Sequence, residues 1–241
     1  MIKFSYCGSL FYGLQPLVKF QTAGGILLEL LTEAAQEKPK ALCFSARTDK
    51  GVSAIENIAT CWFQKPFDVF NFLNHFDKLN KFGLRNIKIC EVDANVHARG
   101  NSRGKHYRYI INSTVKNHSW RIFSNLNIFS MKCALKLITG THDFRNFTIT
   151  QHSACSTVKT IYKAELIMFE TGEIWIEILG NSFLRKMVRM LVGFIVEIGI
   201  GLREIDEMVK ILKSKNRNIL SVIAPSHGLT LVKVDFRTNY V

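Results

Sequence analysis

The sequence predicts an α+β protein whose two ferredoxin-like (split βαβ) halves share an extended antiparallel sheet with a central cleft. Two observations support this prediction. Strand-like and helix-like segments follow one another in the order β-α-β-β-α-β over residues 2–92. A second series of similar order fills the rest of the chain, and no low-complexity linker separates the two. The boundary is placed near Gly104, which gives an N-terminal half at 1–104 and a C-terminal half at 105–241.

The first half begins with an alternating apolar run that predicts a strand. Apolar residues at helical spacing follow, and Pro39 ends the helix that they predict. Two further strands flank a polar loop, and a second helix leads to a last strand. The predicted elements are strands at 2–6, near 41–45, near 57–63 and at 87–92, with helices at 26–35 and 67–76.

The second half is predicted to contain a hairpin and a long amphipathic helix. The Thr171-Gly172 pair predicts the hairpin turn. A continuous apolar stripe predicts the long helix, and Gly199 is a plausible stop signal for it. The predicted elements are strands near 105–112, 161–169, 173–179 and 229–236, with helices near 131–138, 183–198 and 204–213.

The composition indicates a globular protein with an anionic partner. Hydrophobic residues make up 47% of the 241 residues, a share that excludes an intrinsically disordered chain. Lys and Arg number 32 against 19 Asp and Glu, which gives a formal net charge of +13. We expect a polyanionic partner, either a nucleic acid or an anionic membrane surface. The best candidate for a membrane span, residues 190–202, is too short and contains Glu197.

The cysteines and the first residues favour a cytoplasmic protein. The six cysteines form no Cys-x-x-Cys pair and have no zinc-ligand spacing with histidine, so reduced and mostly packed thiols are predicted. The alternating residues at 2–6 predict a strand rather than a signal peptide or a transit segment. From the sequence we therefore expect a cytoplasmic location and no metal site.

The most unusual stretch of the chain is the polar loop between the second and third predicted strands. It places Arg47, Asp49 and Lys50 beside Gly51, whose freedom of φ allows a sharp turn. Arg47 and Asp49 lie two residues apart, so their side chains share a face of extended backbone. One interpretation is a carboxylate held at a loop tip with its charge controlled by cations. The other is a solvated turn with an incidental ion pair.

The run Arg-Thr-Asp-Lys-Gly-Val-Ser-Ala at residues 47–54 resembles the signature of the TruA-type tRNA pseudouridine synthases. The aspartate is the catalytic residue of that family, so the resemblance implies a catalytic role for Asp49. It also implies that Arg47 contacts RNA and assists in displacing the target base. Lys50 is expected to meet phosphate or solvent. A carboxylate that stays ionised in a poorly solvated site requires a cation nearby.

A basic and aromatic strand forms a second part of the predicted site. Lys105 and Tyr107 share one face of this strand, whereas His106 and Arg108 face the other way. Cations neutralise phosphates and aromatic rings stack on bases, as the binding of a flipped-out base requires. Basic-aromatic alternation is also common in edge strands. Tyr107 matches the active-site tyrosine of the family, and the resemblance implies that it stacks on the target uracil while Lys105 binds substrate.

A basic segment before the long predicted helix forms the third part. Arg185 and Arg189 lie four residues apart, so on a helix they share a face, and such a face is usually solvated. Residues 181–189 resemble a further motif of the family. The resemblance implies that Arg189 is the buried partner of Asp49 from the opposite half and that Arg185 binds RNA. Asn181 or Ser182 is predicted to cap the helix.

Two more motifs imply substrate-binding residues. Residues 95–99 resemble the aromatic-x-Ala-Arg element of the family, although Val96 replaces the aromatic residue, and this implies that Arg99 binds RNA. Residues 225–231 resemble its Pro-x-x-Gly-Leu-x-Leu motif, which implies that Leu229 packs beside the target base and excludes water. Simple core packing of Leu229 is compatible with that role.

Two motifs depart further from the family pattern. In the loop at 6–15, Cys7 and Leu14 stand where the family has aspartate and tryptophan, so this loop is either an RNA contact or an ordinary strand-to-helix connection. Residues 140–147 resemble a Gly-x-His-Asp-Phe motif with Arg145 and Asn146 at small-residue positions. We interpret this second motif as scaffold that also lines the RNA path.

Taken over the chain, the resemblance implies a tRNA pseudouridine synthase that acts on uridine in the anticodon stem-loop. It implies no cofactor, a homodimer, and tRNA as partner. Two other hypotheses stay open. One is a catalytically silent tRNA-binding or RNA-folding protein on the same scaffold, and the other is a general polyanion or membrane-surface binder.

Overall fold

The computed structural model describes residues 1–65, 68–74, 80, 82–112, 118–149, 156–214 and 222–237. The chain divides into two compact units. The first comprises Met1–Arg103 and Thr230–Val241, and the second comprises Gly104–Leu229. The sequence predicts that the final strand belongs to the C-terminal half. In the structure this strand groups with the first unit, because it pairs in parallel with a strand there through Ser53–Thr230 and Ala54–Leu231.

The first unit has its predicted order of elements and a sheet of five strands among its described residues. The elements are β1 (Ile2–Tyr6), α1 (Ala23–Ala35), β2 (Ala41–Phe44), β3 (Ser53–Trp62), α2 (Val69–Asn74), β4 (Leu84–Ile89) and β9 (Leu229–Phe236). The strand order is β4-β1-β3-β9, and β2 also pairs with β3. All of these pairings except β3–β9 are antiparallel.

Local chemistry sets the limits of α1. The side chain of Thr22 accepts a hydrogen bond from the backbone of Gly25 and so caps the first turn. Gln36 ends the helix in the left-handed conformation, with φ of 52°. The helix buries Leu27 and Leu31 in the core of the unit. The second predicted helix, 67–76, is present as Val69–Asn74, and its positions 67, 75 and 76 lie outside the described residues.

The second unit contains four strands and three helices among its described residues. The elements are β5 (Ser102–Ile111), α3 (Ile128–Ile138), β6 (Gly140–Asp143), β7 (Val158–Met168), β8 (Ile174–Gly180), α4 (Met187–Gly199) and α5 (Ile205–Lys213). The strands form an antiparallel sheet in the order β5-β8-β7-β6. The predicted hairpin joins β7 to β8 through Gly172, whose φ is +80°. Phe147 and Phe194 are fully buried and meet edge to face at 6.0 Å.

The long helix begins later than the sequence predicts. It starts at Met187, after Lys186 in the left-handed conformation with φ of 62°, and no side chain caps it. The Asn181 side chain instead accepts hydrogen bonds from the backbone N–H groups of Thr160 and Ser182. Two predictions are therefore wrong: Asn181 and Ser182 do not cap the helix, and Arg185 does not share a helix face with Arg189.

The predicted α+β class is confirmed, with mostly antiparallel sheets in both units. No helix in the described part of the chain has the length and apolar character needed to cross a membrane.

Candidate active site

The predicted catalytic aspartate lies in a tight turn between β2 and β3. The backbone N–H of Val52 donates to the carbonyl oxygen of Asp49 at 3.2 Å. Gly51 has φ of +83°, which a residue with a side chain rarely adopts. Asp49 is half-buried, whereas Arg47 and Lys50 are exposed. The turn thus presents a carboxylate flanked by two cations that face solvent.

A buried hydrogen-bond network fixes this turn from beneath. The hydroxyls of Tyr6 and Thr48 are 2.7 Å apart. Asn57 donates to the Tyr6 oxygen at 3.3 Å and to the Ala46 carbonyl at 2.9 Å. Burial raises the pKa of Tyr6 to about 12, although hydrogen bonds from Thr48 and Asn57 oppose the shift. The residue before Asp49 is therefore anchored in the core.

Asn57 and Thr48 were not among the predicted site residues. Asn57 is fully buried in β3, between Glu56 and the buried Ile58. A buried amide needs hydrogen-bond partners, so an Asn inside an alternating apolar strand is the signal that could have identified it. The partner itself comes from β1, which no local pattern reveals.

The loop at 6–15 clamps the Asp49 turn from the side. The backbone N–H of Gly8 donates to the Ser53 hydroxyl at 2.9 Å, and that of Leu14 donates to the Thr48 carbonyl at 3.2 Å. A Cβ on Gly8 would lie 2.4 Å from the carbonyl carbon of Val52, so only glycine fits there. The loop therefore connects β1 to α1 and holds the turn in place, and its contact with RNA stays a prediction.

Two departures from the family pattern are accommodated by packing. Leu14, at the position of the family's tryptophan, is fully buried. Val96, at the position of its aromatic residue, is also buried. Both residues therefore still fill the core of the first unit.

The element that carries Arg99 is bonded to the start of the Asp49 loop. The Ser45 hydroxyl donates to the Ala98 carbonyl at 2.6 Å, and the Ala98 N–H donates to the Thr60 hydroxyl at 3.0 Å. Arg99 itself is exposed. Within the first unit, the structure thus brings the predicted residues Arg47, Asp49, Lys50 and Arg99 onto connected loops.

Tyr107 lies in the middle of β5, in the second unit. It pairs with Ile178 of β8, and its ring meets Phe183 edge to face at 5.2 Å. Tyr107 and Lys105 are both buried. The predicted alternation along this strand is therefore correct.

The other face of β5 has a different role. Arg108 forms an ion pair of 2.5 Å with Glu177, which is buried, and the His106 ring also contacts this carboxylate. The Arg108 guanidinium also lies 3.7 Å from the centre of the Trp175 ring. Both side chains thus link β5 to β8.

Arg189 anchors the segment that leads into β9. Its Nε donates to the Ala224 carbonyl at 2.7 Å, and the Ala224 N–H donates to the Arg189 carbonyl at 3.1 Å. Nearby, the Tyr109 hydroxyl donates to the Pro225 carbonyl at 2.8 Å. Burial raises the pKa of Tyr109 well above its usual range, and the positive charge of Arg189 opposes that shift.

The two remaining predicted residues of the second unit differ in exposure. Leu229 is buried, directly after the segment that Arg189 holds. Arg185 is exposed, and its carbonyl accepts a hydrogen bond from the Thr148 hydroxyl at 3.0 Å. The predicted pair of Asp49 with Arg189 joins the two units and stays a prediction.

The motif at 140–147 supports the second unit. Asp143 accepts hydrogen bonds from the backbone and the guanidinium of Arg145, which close a turn after β6. The Asn146 amide donates to the carbonyls of Ile211 and Ser214 at 2.8 Å each, at the end of α5. Phe144 and Phe147 are fully buried. These contacts agree with the scaffold role predicted for the motif. Among the described residues, no group of three His, Cys, Asp or Glu side chains could hold a metal ion.

Comparison with known proteins identifies the family. Residues 134–237 match a family model described as tRNA pseudouridine synthase. The chain is 32% identical over 238 residues to tRNA pseudouridine synthase A of Pseudothermotoga lettingae, covering 96% of this chain and 97% of that protein. It is 33% identical over 253 residues to the protein of the same name from Limosilactobacillus reuteri, covering 99% and 96%.

A solved structure shows a weaker similarity. The archaeal box H/ACA sRNP Nop10–Cbf5 complex contains a chain that matches with a TM-score of 0.36 and 11% identity, covering 79% of this chain and 45% of that chain. The family assignment rests on the sequence relatives, which align over almost their entire lengths. The chain belongs to the tRNA pseudouridine synthase A family, as the residues around Asp49 predicted.

Proposed function

We propose that this protein isomerises uridine to pseudouridine in the anticodon stem-loop of tRNA, with Asp49 as its catalytic carboxylate. The observation that carries the proposal is the turn that presents Asp49, which is fixed from beneath by Tyr6 and Asn57 and from the side by Gly8. The relatives named tRNA pseudouridine synthase A supply the reaction and the substrate class.

The chemistry fits a single carboxylate without a cofactor. The reaction breaks the N1–C1′ bond of uridine and forms a C5–C1′ bond on the same base. A proton leaves C5 and another is gained at N1, so no electrons enter or leave overall. An ionised carboxylate can act in such a reaction as a nucleophile or as a general base, and it is regenerated at the end.

We assign supporting roles to the other predicted residues. Tyr107, whose ring already packs against Phe183, stacks on the uracil of the target nucleotide. Arg189 keeps Asp49 ionised, and Leu229 excludes water beside the base. The exposed Arg47, Lys50, Arg99 and Arg185 bind phosphates, and Lys105 contacts the substrate.

The proposal is tested by replacing Asp49 with asparagine. We expect Asp49→Asn to bind an unmodified tRNA transcript within about 3-fold of the wild type and to form pseudouridine at least about 100-fold more slowly. Nucleoside mass spectrometry of digested tRNA measures the product. The matched control is Asp93→Asn, which removes an exposed carboxylate from the same unit and should leave turnover unchanged. Retained turnover in Asp49→Asn would exclude Asp49 from the mechanism.

Arg189 is tested separately because it also holds the Ala224 carbonyl. We expect Arg189→Met to abolish turnover and Arg189→Lys, which keeps the charge, to retain part of it. Thermal melting of both variants reports the loss of the structural contact. Normal kinetics in Arg189→Met would rule out its partnership with Asp49.

We also propose that the protein works as a homodimer in the cytoplasm, with tRNA as its partner, from the family resemblance. Sedimentation velocity of the purified protein tests the oligomeric state, and a monomer that converts tRNA at the full rate would contradict it. A wild type that binds tRNA and yields no pseudouridine would instead support a catalytically silent tRNA-binding protein.

A further inference from the structure

An exposed aromatic pair lies beside the Asp49 turn. The rings of Tyr12 and Phe20 are nearly parallel, with an angle of 14° and centroids 4.4 Å apart. They are brought together by a tight reversal of the chain, in which Leu17 and Phe20 form a β-bridge and the Tyr12 N–H donates to the Gln21 carbonyl at 2.9 Å. Tyr12 is 46% exposed and Phe20 is 48% exposed.

A cation completes the arrangement. The ammonium group of Lys50 lies 3.7 Å from the centre of the Tyr12 ring. Rings 4.4 Å apart leave no room for an ammonium group between them, so Lys50 and Phe20 cover opposite faces of Tyr12. The three side chains therefore form a stack in the order Lys50, Tyr12, Phe20, with a positive charge at one end and an exposed aromatic ring at the other.

The stack is attached rigidly to the catalytic turn. Lys50 follows Asp49 directly in the sequence. Gly13, next to Tyr12, has φ of +91°, and a Cβ there would lie 2.9 Å from the Thr48 carbonyl oxygen. This close backbone approach fixes the position of Tyr12 relative to the turn.

We propose that the stacked Tyr12–Phe20 pair, capped by Lys50, is a nucleobase-stacking surface that binds a tRNA nucleotide other than the target uridine. The inference rests on the proposed function and adds a second base contact to it. Aromatic rings beside a cation suit RNA, because the ring stacks on a base while the ammonium group meets the phosphate. The net charge of +13 favours the same partner.

A protein partner is the competing occupant, since Leu17 and Val18 in the same reversal are also exposed. Lys50 disfavours an apolar protein partner, because its ammonium group would have to be desolvated in an apolar interface. A cation that already lies on the aromatic ring is suited to an anionic partner. The position beside Asp49 also places the stack where tRNA has to bind if Asp49 is catalytic.

The test compares variants of Phe20, whose exposed ring should tolerate replacement. We expect Phe20→Ala and Phe20→Leu to raise the Kd for an unmodified tRNA transcript about 5- to 100-fold, and Phe20→Trp to stay within about 2-fold of the wild type. The matched control, Val18→Ala, removes an apolar side chain from the same reversal and should change the Kd less than about 2-fold. The single-turnover rate at saturating enzyme should stay within about 3-fold for every variant.

Three results would overturn the proposal. Phe20→Ala and Phe20→Leu could bind tRNA as the wild type does, or Phe20→Leu alone could keep full affinity, which would indicate a simple apolar contact. The Phe20 variants could instead lose self-association in sedimentation velocity with unchanged tRNA affinity, which would indicate a protein interface. Thermal melting of each variant verifies that it is folded.

Transcripts that each lack one base identify the nucleotide that stacks on Phe20. In a series of transcripts with single abasic sites, one site outside the target uridine should weaken wild-type binding and remove the difference between wild type and Phe20→Ala. If every abasic transcript preserves that difference, Phe20 does not stack on a base. A wild type that binds tRNA but forms no pseudouridine would refute the proposed function. The ratio of the Kd of Phe20→Ala to that of the wild type would still decide the stacking proposal.

Discussion

Tyr6 is the residue on which the Asp49 turn depends most directly. Its hydroxyl accepts a hydrogen bond from Asn57 and shares one with Thr48, and its ring is buried. A buried hydroxyl without a partner would lower the free energy of unfolding, so these hydrogen bonds stabilise the turn. Replacement of Tyr6 removes the partner of the Thr48 hydroxyl and one of the two acceptors of the Asn57 amide.

The raised pKa of Tyr6 predicts a loss of stability at high pH. The unfolded chain deprotonates Tyr6 near its ordinary pKa of 10.0, whereas burial holds the folded pKa at about 12. The contribution of Tyr6 to the free energy of unfolding is therefore complete below pH 10 and declines as pH rises toward 12, by about 2–3 kcal/mol in all. Urea unfolding at a series of pH values measures it.

Tyr6→Phe is the matched variant for this effect. Tyr109 also has a raised pKa, but it is present in both proteins, so its contribution cancels in the difference between them. We expect Tyr6→Phe to be about 1 kcal/mol less stable than the wild type at pH 8, since it lacks the hydroxyl. The difference should shrink and then reverse above pH 10. A constant difference across this range would show that Tyr6 is not protected from ionisation.

At the scale of elements, α4 is central to the second unit because it supports the segment before β9. Gly193 brings the helix backbone against the Val222 carbonyl, and Glu197 accepts a hydrogen bond from the Val222 N–H at 3.0 Å. One turn before Gly193, the Arg189 side chain donates a hydrogen bond to the Ala224 carbonyl. Three successive turns of one helix thus hold the chain that leads to Leu229.

Gly193→Ala tests this contact. A Cβ at Gly193 would lie 1.7 Å from the Val222 carbonyl oxygen, so the helix or the segment has to move. We expect the free energy of unfolding to fall by about 3 kcal/mol or more. The control is Gly199→Ala in the same helix, where the nearest atoms belong to the side chains of Met131 and Leu126 rather than to backbone, and a smaller loss is expected. Equal losses in both variants would contradict the argument.

At the scale of the whole molecule, the net charge of +13 should govern tRNA binding. Four exposed cations are assigned to phosphates: Arg47, Lys50, Arg99 and Arg185. Each phosphate contact contributes about −0.7 to −0.9 to the slope of log affinity against log salt concentration. Four contacts predict that affinity falls about 50- to 150-fold between 50 and 200 mM KCl.

Titration of binding against KCl for wild type and Arg99→Ala measures the slope. The variant should have a slope smaller in magnitude by a little less than 1, and Lys132→Ala, which removes an exposed cation of α3, should leave the slope unchanged. An affinity that is insensitive to salt would show that the cations do not meet phosphates.

The sequence by itself determined the order of elements, the α+β class and the family, because periodicity and the residues around Asp49 are local signals. Tertiary structure decided what those signals cannot contain. Asn181 accepts a hydrogen bond from β7, and α4 starts at Met187 rather than at residue 183. The last strand, β9, pairs with β3. The hydrogen bonds that fix the Asp49 turn join residues 42 and 51 positions apart. Such contacts depend on which elements meet in the folded chain, and no local pattern of residues specifies that meeting.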